Sequence, residues 1–481
     1  MSTLIAPIIQ SYLNDVKSTV NEIINPLTNS PVQIPYYNVL YNAAGQLDTL
    51  SNADATQYMG LIQSLLGRAN CVGFTAPTEL SLPTDHHLHP DAGIEWYWVA
   101  CHLNVTDPYG NKGRISTLVD MTRNRCVGVQ AQQDAGWTDE EVTLANTIAT
   151  VTVDMNPAER KIYRRNLNSQ WPLKGGVVNF SKPGNDTFFF QCGPDQLTGS
   201  TNVLPLNVIV NDGTNMQLNM TFTNQAQFNV ETAFFKQGVP IIGGNGGSGV
   251  TPVPTPGIYY SWPQLQVTGS VTVNNTTYII DSGTGWIDHE IMMSSLQNAP
   301  TKTEPDGAVH PIPFVEDPTP LNGWVWQFYN LENNMSFTGA GFVLGQMTTT
   351  PEMSYGYFLQ PDNKGGWTAI FINGNIDLLY PNVFPSQCGD PSSVGVIIPT
   401  VRAYTSVENE LLGHPLSGVV TPWYSDGTFN FPNGNVCSEA PGDYTDMSGN
   451  YANGVGYMES VGFQPVASYH AYALNILQGN K

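Results

Sequence analysis

The stretch that decides the fold class is residues 203–222, which read VLPLNVIVNDGTNMQLNMTF. Two apolar-rich runs flank the Asn-Asp-Gly sequence at 211–213, and an Asp-Gly pair in that setting is a strong signal for a β-hairpin. Residues 265–280 carry a second hairpin pattern, which turns near 274–275. Strand signals of this kind dominate the chain from Thr75 onward. The sequence therefore predicts an all-β body.

Two helical patterns precede this body. Apolar residues recur at helical spacing in residues 4–25, where Pro26 ends the run, and again from Ala53 to Gly67. We predict that residues 1–72 form an N-terminal helical cap on the β-rich body and are not a separate domain.

A Gly-rich and then Pro-rich stretch, residues 243–257, divides the β-rich body nearly in half. It has no apolar periodicity, which indicates a linker. It predicts a first β domain at 73–242 and a second at 258–481, each a barrel or a strongly curved sandwich. A length of 481 residues agrees with two large domains, because it exceeds one ordinary domain.

The charge and hydrophobicity of the chain limit the classes of binding partner that can be expected. The chain has 41% hydrophobic residues and a formal net charge of -22, with only 17 Lys plus Arg. Nucleic acid and anionic membrane surfaces both attract clustered cations, so neither is an expected partner. No apolar run reaches the roughly 18 to 20 residues that a membrane helix requires, so no membrane span is expected.

The sequence has some features of secreted proteins and lacks others. The N-terminus has no basic segment, so no signal peptide is visible, and a soluble, cytoplasmic location is the default expectation. Several Asn-X-Ser/Thr sequons nevertheless leave a secreted mature form open. The six cysteines form no CxxC motif. Cys388 and Cys437 would suit a disulfide in an oxidising compartment, and the alternative is six free thiols.

Residues 285–290, which read GWIDHE, place an acid beside an indole. On a strand, Asp288 would face the same side as Trp286 and Glu290, because side chains alternate. A carboxyl group beside an indole loses hydration and keeps its proton to a higher pH, so it can protonate a C=C bond. The ring would stabilise the resulting carbocation. The alternative is an Asp that fixes a turn or pairs with a buried Arg.

A second segment, LPTDHHLH at 82–89, leads into EWYW at 95–98. On a strand, Glu95 and Tyr97 would share one face, and the two tryptophans would share the other. Glu95 is either a proton-transfer group or an ordinary ion-pair residue. The acid and the three histidines of 82–89 resemble metal ligands, but prolines frame them as a loop and spacing fixes no fourth ligand. We therefore expect hydrogen-bonding histidines and no metal.

Residues 323–329, GWVWQFY, predict a strand with one aromatic face, formed by Trp324, Trp326 and Phe328. This face is either plain core or the lining of an apolar pocket, and lining is favoured if Asp288 faces the same cavity. No GxSxG, P-loop or Rossmann pattern occurs in a strand-turn-helix setting, so no cofactor is expected.

Together these stretches resemble the AttH and carotenoid hydratase-like (hydroxyneurosporene dehydrogenase-like) lipocalin superfamily, which includes kievitone hydratase and fungal lipocalin-type Diels–Alderases. The matching motifs, in family order, are 83–89 with 95–98, 258–263 leading to 285–290, 323–328, and 456–462. The first matches a "P-x-D-H … E-W-W-Y" pattern, and the second ends in a "W-x-D-H-[EQ]" pattern. The resemblance covers roughly residues 80–465 and leaves the first 70 or so outside.

The resemblance implies two tandem lipocalin-like β-barrels with a ligand pocket at or between them. It also implies that Asp288 is the proton donor, with Trp286 as the aromatic residue before it. Family members use a His and a Trp upstream, where this chain has Tyr-Tyr-Ser at 259–261, and this departure puts water activation in doubt. In the Diels–Alderase branch the fold orders a polyene without an obligatory acid.

The sequence thus predicts a cofactor-independent lyase that hydrates or dehydrates a C=C bond of an isoprenoid or prenylated secondary metabolite. Asp288 would be the general acid, and His289 or Glu95 would handle the proton of water. The candidate substrate-binding residues are Trp286, Tyr259, Tyr260, Tyr97, Trp324, Trp326 and Glu290.

Two other functions stay open. One is a pericyclase or cyclase that folds a polyene through shape alone. The other is a lipocalin-type carrier that binds an apolar ligand without turnover. In each case the expected partner is an apolar small molecule, and the expected state is a monomer or a homodimer.

Overall fold

The computed structural model describes residues 81–462 with internal gaps. The gaps are 93, 126–132, 157–159, 165–167, 171–172, 202, 214, 226–233, 236–256, 293–300, 304–308, 312–321, 345–353, 363, 365–366, 374–375, 380–382, 385–395, 398–402, 408–411, 413, 415, 424–427 and 431–435. The predicted helices of 1–72, the linker up to residue 256 and Cys388 lie outside the described residues. Strands supply nearly all of the described regular structure, which confirms the all-β class.

The first sheet contains thirteen of the described strands, and all its neighbouring pairs are antiparallel. Their bounds are β1 Ile94–Thr106, β2 Lys112–Arg125, β3 Thr143–Asp154, β4 Lys161–Arg164, β5 Asn168–Gln170, β6 Val178–Phe180, β7 Phe189–Cys192, β8 Asp195–Ser200, β9 Val203–Asn211, β10 Met216–Thr223, β11 Phe234–Phe235, β12 Gly257–Val273 and β13 Thr276–Met292. The order is β4-β3-β2-β1-β13-β12-β10-β9-β8-β7-β6, with β5 beside β3 and β11 beside β12. A short 3-10 turn, Thr84–His86, precedes β1.

The second sheet contains ten of the described strands in the order β19-β18-β17-β16-β27-β26-β24-β23-β20, with β25 beside β26. Two short antiparallel pairs, β14–β15 and β21–β22, stand apart from it. The remaining bounds are β14 Thr301–Thr303, β15 Val309–Pro311, β16 Asn322–Leu331, β17 Ser336–Leu344, β18 Ser354–Pro361, β19 Trp367–Asn373, β20 Ile376–Leu379, β21 Val383–Phe384, β22 Val396–Ile397, β23 Ala403–Val407, β24 Leu416–Pro422, β25 Thr428–Asn430, β26 Val436–Asp446 and β27 Gly454–Gly462. Each large sheet curls into a half-barrel.

Both predicted hairpins are present. β9 and β10 pair across the turn that contains Gly213, which has φ 61°. β12 and β13 are joined at Asn274 and Asn275, with φ 47° and 64°. Glycine and asparagine tolerate this left-handed region better than other residues, so the turn chemistry sets where these strands reverse.

The division between the sheets differs from the predicted domain boundary. β12 and β13 follow the predicted linker at 243–257, yet β12 pairs with β10 and β13 pairs with β1. They therefore belong to the first sheet, although they follow the predicted linker. Within the described strands, the change of large sheet falls between β13 and β16. The composition of a Gly- and Pro-rich stretch indicates how stiff the chain is locally. It does not indicate which distant strands pair with each other.

Where β1, β12 and β13 lie side by side at residues 95–103, 259–265 and 285–291, nearly all of their side chains are buried on both sides of the sheet. We call one side the barrel face: it lies in the core of the first half-barrel and includes Tyr97, Tyr260 and Ile287. We call the other the inter-sheet face, because it packs against aromatic side chains of the second sheet. That contact is formed by Trp98, Ala100, Leu118 and Trp286 of the first sheet with Trp326, Phe328, Ala340, Tyr357, Leu359 and Tyr457 of the second.

Phe328 is central to this contact, because its buried ring stacks on Trp286 with the ring centroids 4.6 Å apart. We expect Phe328→Ala to lower the free energy of unfolding by about 3–5 kcal/mol, since it leaves a cavity between the sheets. Urea denaturation followed by tryptophan fluorescence measures the change. Tyr109→Ala is the control, because Tyr109 is 87% exposed and its loss should cost at most about 0.5 kcal/mol. Equal losses for the two variants would show that Phe328 does not hold the sheets together.

Candidate functional site

The pairing of β1 with β13 brings the two motif segments into contact. Trp98 lies directly opposite Asp288, and Trp96 lies opposite Glu290. On the other side of β13, Ser261 of β12 lies opposite Asp288. Opposite residues in an antiparallel pair have Cβ atoms roughly 4.5–5.5 Å apart. Residues from three distant parts of the sequence therefore form one row across the sheet.

Asp288 is the acid at the centre of the inter-sheet face, and its side chain is only 2% exposed. The hydroxyl of Tyr259 donates a hydrogen bond to its Oδ2 at 3.1 Å. The hydroxyl of Ser261 donates a second hydrogen bond to its Oδ1. Because one donor from β12 holds each oxygen, the carboxyl group has a fixed orientation relative to the surrounding rings.

Trp286 and Glu290 flank Asp288 on the same face of β13, as strand alternation predicts. Both side chains are buried. The indole of Trp286 stacks on Phe328 of β16 with an interplanar angle of 20°. An acid, a second acid and an indole are thus held together between the two sheets.

Trp98 forms the other aromatic wall of this row. Its ring meets Trp326 edge to face, with centroids 5.0 Å apart, and its Nε1–H donates to Glu439 Oε2 at 3.2 Å. Trp326 and Phe328 lie against the face that bears Asp288, so the aromatic side of β16 belongs to the site. The side chain of Trp324 lies outside the part of the chain whose side chains the structure describes.

Asp120 of β2 is a site residue that the sequence reasoning missed. It lies opposite Trp98 on the side away from Asp288, so the two acids flank one indole. Burial raises the pKa of Asp120 to about 7, against the hydrogen bond from Thr122, which lowers it. Its signal in the sequence is an acid inside the apolar strand pattern STLVDMT, at 116–122. Groups with such shifted pKa values concentrate at functional sites.

The barrel face carries a separate chain of hydrogen-bonded polar groups. Glu95 Oε1 accepts from His289 Nε2 at 2.9 Å, and His289 Nδ1 lies 2.7 Å from the hydroxyl of Tyr260. That hydroxyl in turn lies 2.5 Å from His86 Nδ1. Tyr97 stacks on the His289 ring with centroids 4.0 Å apart. All of these side chains are fully buried.

Glu95 belongs to these hydrogen-bonded groups and also forms a buried ion pair with Arg123. Arg123 Nε lies 3.5 Å from Glu95 Oε2. Burial alone would raise the pKa of Glu95, but hydrogen bonds from His289 and His89 prevail and lower it to about 2. Burial lowers the pKa of His289, although its hydrogen bond to Glu95 opposes that shift. At neutral pH, Glu95 is therefore ionised and His289 is neutral.

The structure does not bring all the predicted catalytic residues together. Asp288 lies on the inter-sheet face, whereas His289 and Glu95 lie on the barrel face. Tyr259 contacts Asp288, but its neighbour Tyr260 contacts His289. The physical reason is strand alternation, which sends adjacent side chains to opposite sides of the sheet. His289 and Glu95 are therefore not placed to handle the proton of a water molecule beside Asp288.

The histidines of the 82–89 segment make hydrogen bonds, as expected. His87 Nδ1 lies 2.8 Å from the hydroxyl of Ser181, and His89 bonds Glu95 through both its backbone N–H and its ring. In the part of the chain that the structure describes, no group of three or more His, Cys, Asp or Glu side chains is arranged to hold a metal ion.

The structure also describes some of the cysteines and the lengths of the helices. Cys101 is a buried free thiol, Cys192 is also buried, and the side chains of the other cysteines lie outside the description. Among the described residues, no helix has the length and apolar character needed to cross a bilayer.

Two curled antiparallel sheets that enclose an acid-bearing aromatic face define a protein of the lipocalin-like class. Residues 74–304 match the model of the AttH-like family, and this confirms the family resemblance that the motifs predict. Residues 74–304 are thus similar to that family.

One similar solved structure has the same fold. A crystal structure of an AttH-like protein from Nitrosomonas europaea is 17% identical, with a TM-score of 0.53, and the match covers 82% of this chain and 100% of that one. Kievitone hydratase from Nectria haematococca is 12% identical, with a TM-score of 0.48 and coverage of 82% and 97%. CghA with Sch210972 is 8% identical, with a TM-score of 0.39 and coverage of 82% and 95%. No curated protein sequence matches the chain significantly.

Glu95 provides a test of the buried hydrogen-bonded groups, because its removal would break the ion pair with Arg123 in the core. We expect Glu95→Gln to lower the free energy of unfolding by about 3–5 kcal/mol near neutral pH. The pKa of Glu95 is about 2 in the folded protein and 4.5 in its ordinary state, so this stabilisation is fully present above about pH 5 and is lost as the pH falls toward 2.

Urea denaturation at several pH values measures this difference. Glu332→Gln is the control, because Glu332 is exposed. A Glu95→Gln variant as stable as that control at neutral pH would contradict the assignment, and so would a difference that does not narrow in acid.

Proposed function

We propose that this protein is a lyase that adds water to, or removes it from, a C=C bond of a neutral isoprenoid or prenylated metabolite by proton transfer. The observation that carries the proposal is Asp288, a carboxyl group buried between two sheets, oriented by two hydroxyl groups and placed opposite an indole. A proton donor held against electron-rich rings is the arrangement that protonation of an alkene requires.

In the hydration direction, Asp288 donates its proton to one alkene carbon. The O–H bond breaks, the π electrons form a C–H bond, and the other carbon becomes a carbocation. Water then adds through its oxygen and loses a proton to the Asp120 carboxylate. That proton returns to Asp288 through solvent, so the net change is the addition of one water molecule. Dehydration is the reverse sequence.

The aromatic rings have a direct part in this chemistry. A cation beside the face of an indole is attracted by the ring quadrupole, by about 2 kcal/mol or more when water is excluded. Trp98 lies between Asp120 and Asp288, and Trp286 lies beside Asp288 on the same face. The carbocation would therefore form between two indoles at the position where the proton is delivered.

Asp120 takes the role that the sequence analysis gave to His289 or Glu95. It lies two strand spacings from Asp288, which corresponds to roughly 9–10 Å. Two carboxyl groups that act on opposite sides of a reacting bond with a water molecule between them are typically about 6.5–9.5 Å apart in inverting glycosidases. With a similar separation, the two carboxyl groups would act on one alkene and one water molecule held against the Trp98 ring.

The substrate class follows from the same face. Its aromatic walls favour an apolar molecule. Its carboxyl groups, those of Asp288, Glu290 and Glu439 with Asp120 at the edge, disfavour an anion such as an isoprenoid diphosphate. The isoprenoid character itself rests on the family resemblance of the motifs. The proposed chemistry uses only proton transfer and needs no cofactor.

The reaction can be tested with isotopes. The substrate is first sought by mass spectrometry of the small molecule that co-purifies with the protein, and by a panel of neutral isoprenoid alkenes. Turnover in heavy water should place deuterium on carbon, and turnover in heavy-oxygen water should place the label in the product hydroxyl. Asp288→Asn should lower kcat by about 100- to 10,000-fold, while Asp281→Asn, an exposed acid on the same strand, should not.

The other open functions give different results in this assay. A product that carries neither isotope would indicate a cyclase, and a bound molecule that stays chemically unchanged would indicate a carrier. Full turnover by Asp288→Asn would show that another group delivers the proton.

Asp120 makes a separate prediction about pH. Because its pKa is about 7, its carboxylate form increases as the pH rises through 7, and hydration limited by proton removal from water should rise with it. Asp120→Asn should abolish this limb of the pH profile and lower kcat by about 100-fold. A pH–rate profile of kcat for the wild type, Asp120→Asn and Asp281→Asn measures both effects. An unchanged profile in Asp120→Asn would remove Asp120 from the mechanism.

A further inference from the structure

Two polar ring nitrogens lie without partners inside the first half-barrel, on the side of the sheet away from Asp288. Within the part of the chain that the structure describes, His86 Nε2 and Trp262 Nε1 have no hydrogen-bond partner. Their side chains are 0% and 1% exposed. The rings are neighbours, at 5.6 Å between centroids and nearly perpendicular. Buried polar groups are nearly always paired, so two adjacent exceptions require an explanation.

The hydrogen-bonded chain determines which protons the histidines carry. Glu95 is ionised and can only accept, so His289 donates to it from Nε2. The neutral His289 then has a bare Nδ1, which accepts from the Tyr260 hydroxyl. The Tyr260 oxygen accepts from His86 Nδ1 in turn. Because His86 is also neutral, its Nε2 is left as an acceptor with no donor.

Trp262 has the opposite requirement: its ring nitrogen is a donor that has no acceptor among the described residues. An indole nitrogen carries a hydrogen atom and can only donate. One group therefore needs to donate to His86 Nε2 and accept from Trp262 Nε1. A hydroxyl does both through a single oxygen atom, whereas a carboxylate or a ketone cannot donate and an ammonium group cannot accept.

The surroundings of the two nitrogens are aromatic. The His86 ring lies 4.2 Å from Phe188 and 5.2 Å from Tyr97, measured between centroids. Both of these side chains belong to the buried core of the half-barrel. An apolar lining with one convergent polar position is typical of a small-molecule site, in which the polar position sets the orientation of the ligand.

We propose that the first half-barrel contains a second ligand site, in which the hydroxyl of an apolar alcohol or phenol bridges His86 Nε2 and Trp262 Nε1. This site is separate from the Asp288 row, because it lies on the barrel face of the same strands. The ionised Glu95 at the far end of the chain keeps His86 in the accepting tautomer and so selects a hydroxyl over other polar groups.

Two matched probes test the proposal on the full chain. para-Fluorophenol carries a hydroxyl where para-fluorotoluene carries a methyl group of similar size, and fluorine NMR follows the binding of each. The wild type should bind the phenol at least tenfold more tightly than the toluene, because the toluene leaves both nitrogens unpaired. Trp262→Phe keeps a ring and removes the N–H, so the phenol should bind roughly three- to tenfold more weakly.

A second variant changes only the group that fixes the tautomer of His86. Tyr260→Phe removes the hydroxyl that holds His86 and should also reduce the preference for the phenol, while binding of the toluene stays the same. Trp423→Phe is the control, because its buried indole belongs to neither site and also has no partner for its N–H among the described residues. It should leave binding of both probes unchanged.

Three results would overturn the proposal. One is equal affinity of the wild type for the two probes. Another is loss of phenol binding in Trp326→Phe but not in Trp262→Phe, which would place the phenol between the sheets. The third is a crystal structure, grown with para-fluorophenol, in which only an ordered water bridges the two nitrogens.

Discussion

The backbone hydrogen bonds between β1 and β13 join two segments that are distant in sequence, and the functional features of the molecule depend on them. They place Trp98 opposite Asp288 and Tyr97 opposite His289. Because side chains alternate, one ladder builds two environments that differ in chemistry. The inter-sheet face combines acids with indoles, and the barrel face combines a buried ion pair with neutral histidines. A shift of the ladder by one residue would exchange the two rows.

The two environments handle charge in different ways. On the barrel face, Glu95 has Arg123 and two histidines as partners, so its negative charge is stabilised in the core. On the inter-sheet face, Thr122 is the one hydrogen-bonding neighbour among the described residues that affects the titration of Asp120, and burial raises the pKa of this acid. The first arrangement favours a fixed charge and a fixed set of tautomers. The second favours a group that gains and loses a proton near neutral pH, which is the property that acid–base chemistry requires.

Local patterns in the sequence predicted much of this structure. Turn residues located the hairpins at 211–213 and 274–275, and alternation placed Trp286 and Glu290 on the side of Asp288. Pairing between distant strands could not be predicted in the same way, because no local pattern reports it. The pairing of β12 and β13 with strands that precede the predicted linker is an example. Asp120 was missed because it becomes a site residue only through its position across β1 from Asp288.

The same topology has a consequence for synthesis of the protein. One edge of β1 can pair with β2 as soon as residue 125 has left the ribosome. The other edge of β1 pairs with β13, which is complete only at residue 292. During that interval an apolar strand edge is open to other nascent chains. The acidic composition of the chain then has a use beyond solubility, since repulsion between like-charged copies keeps such edges apart while translation continues.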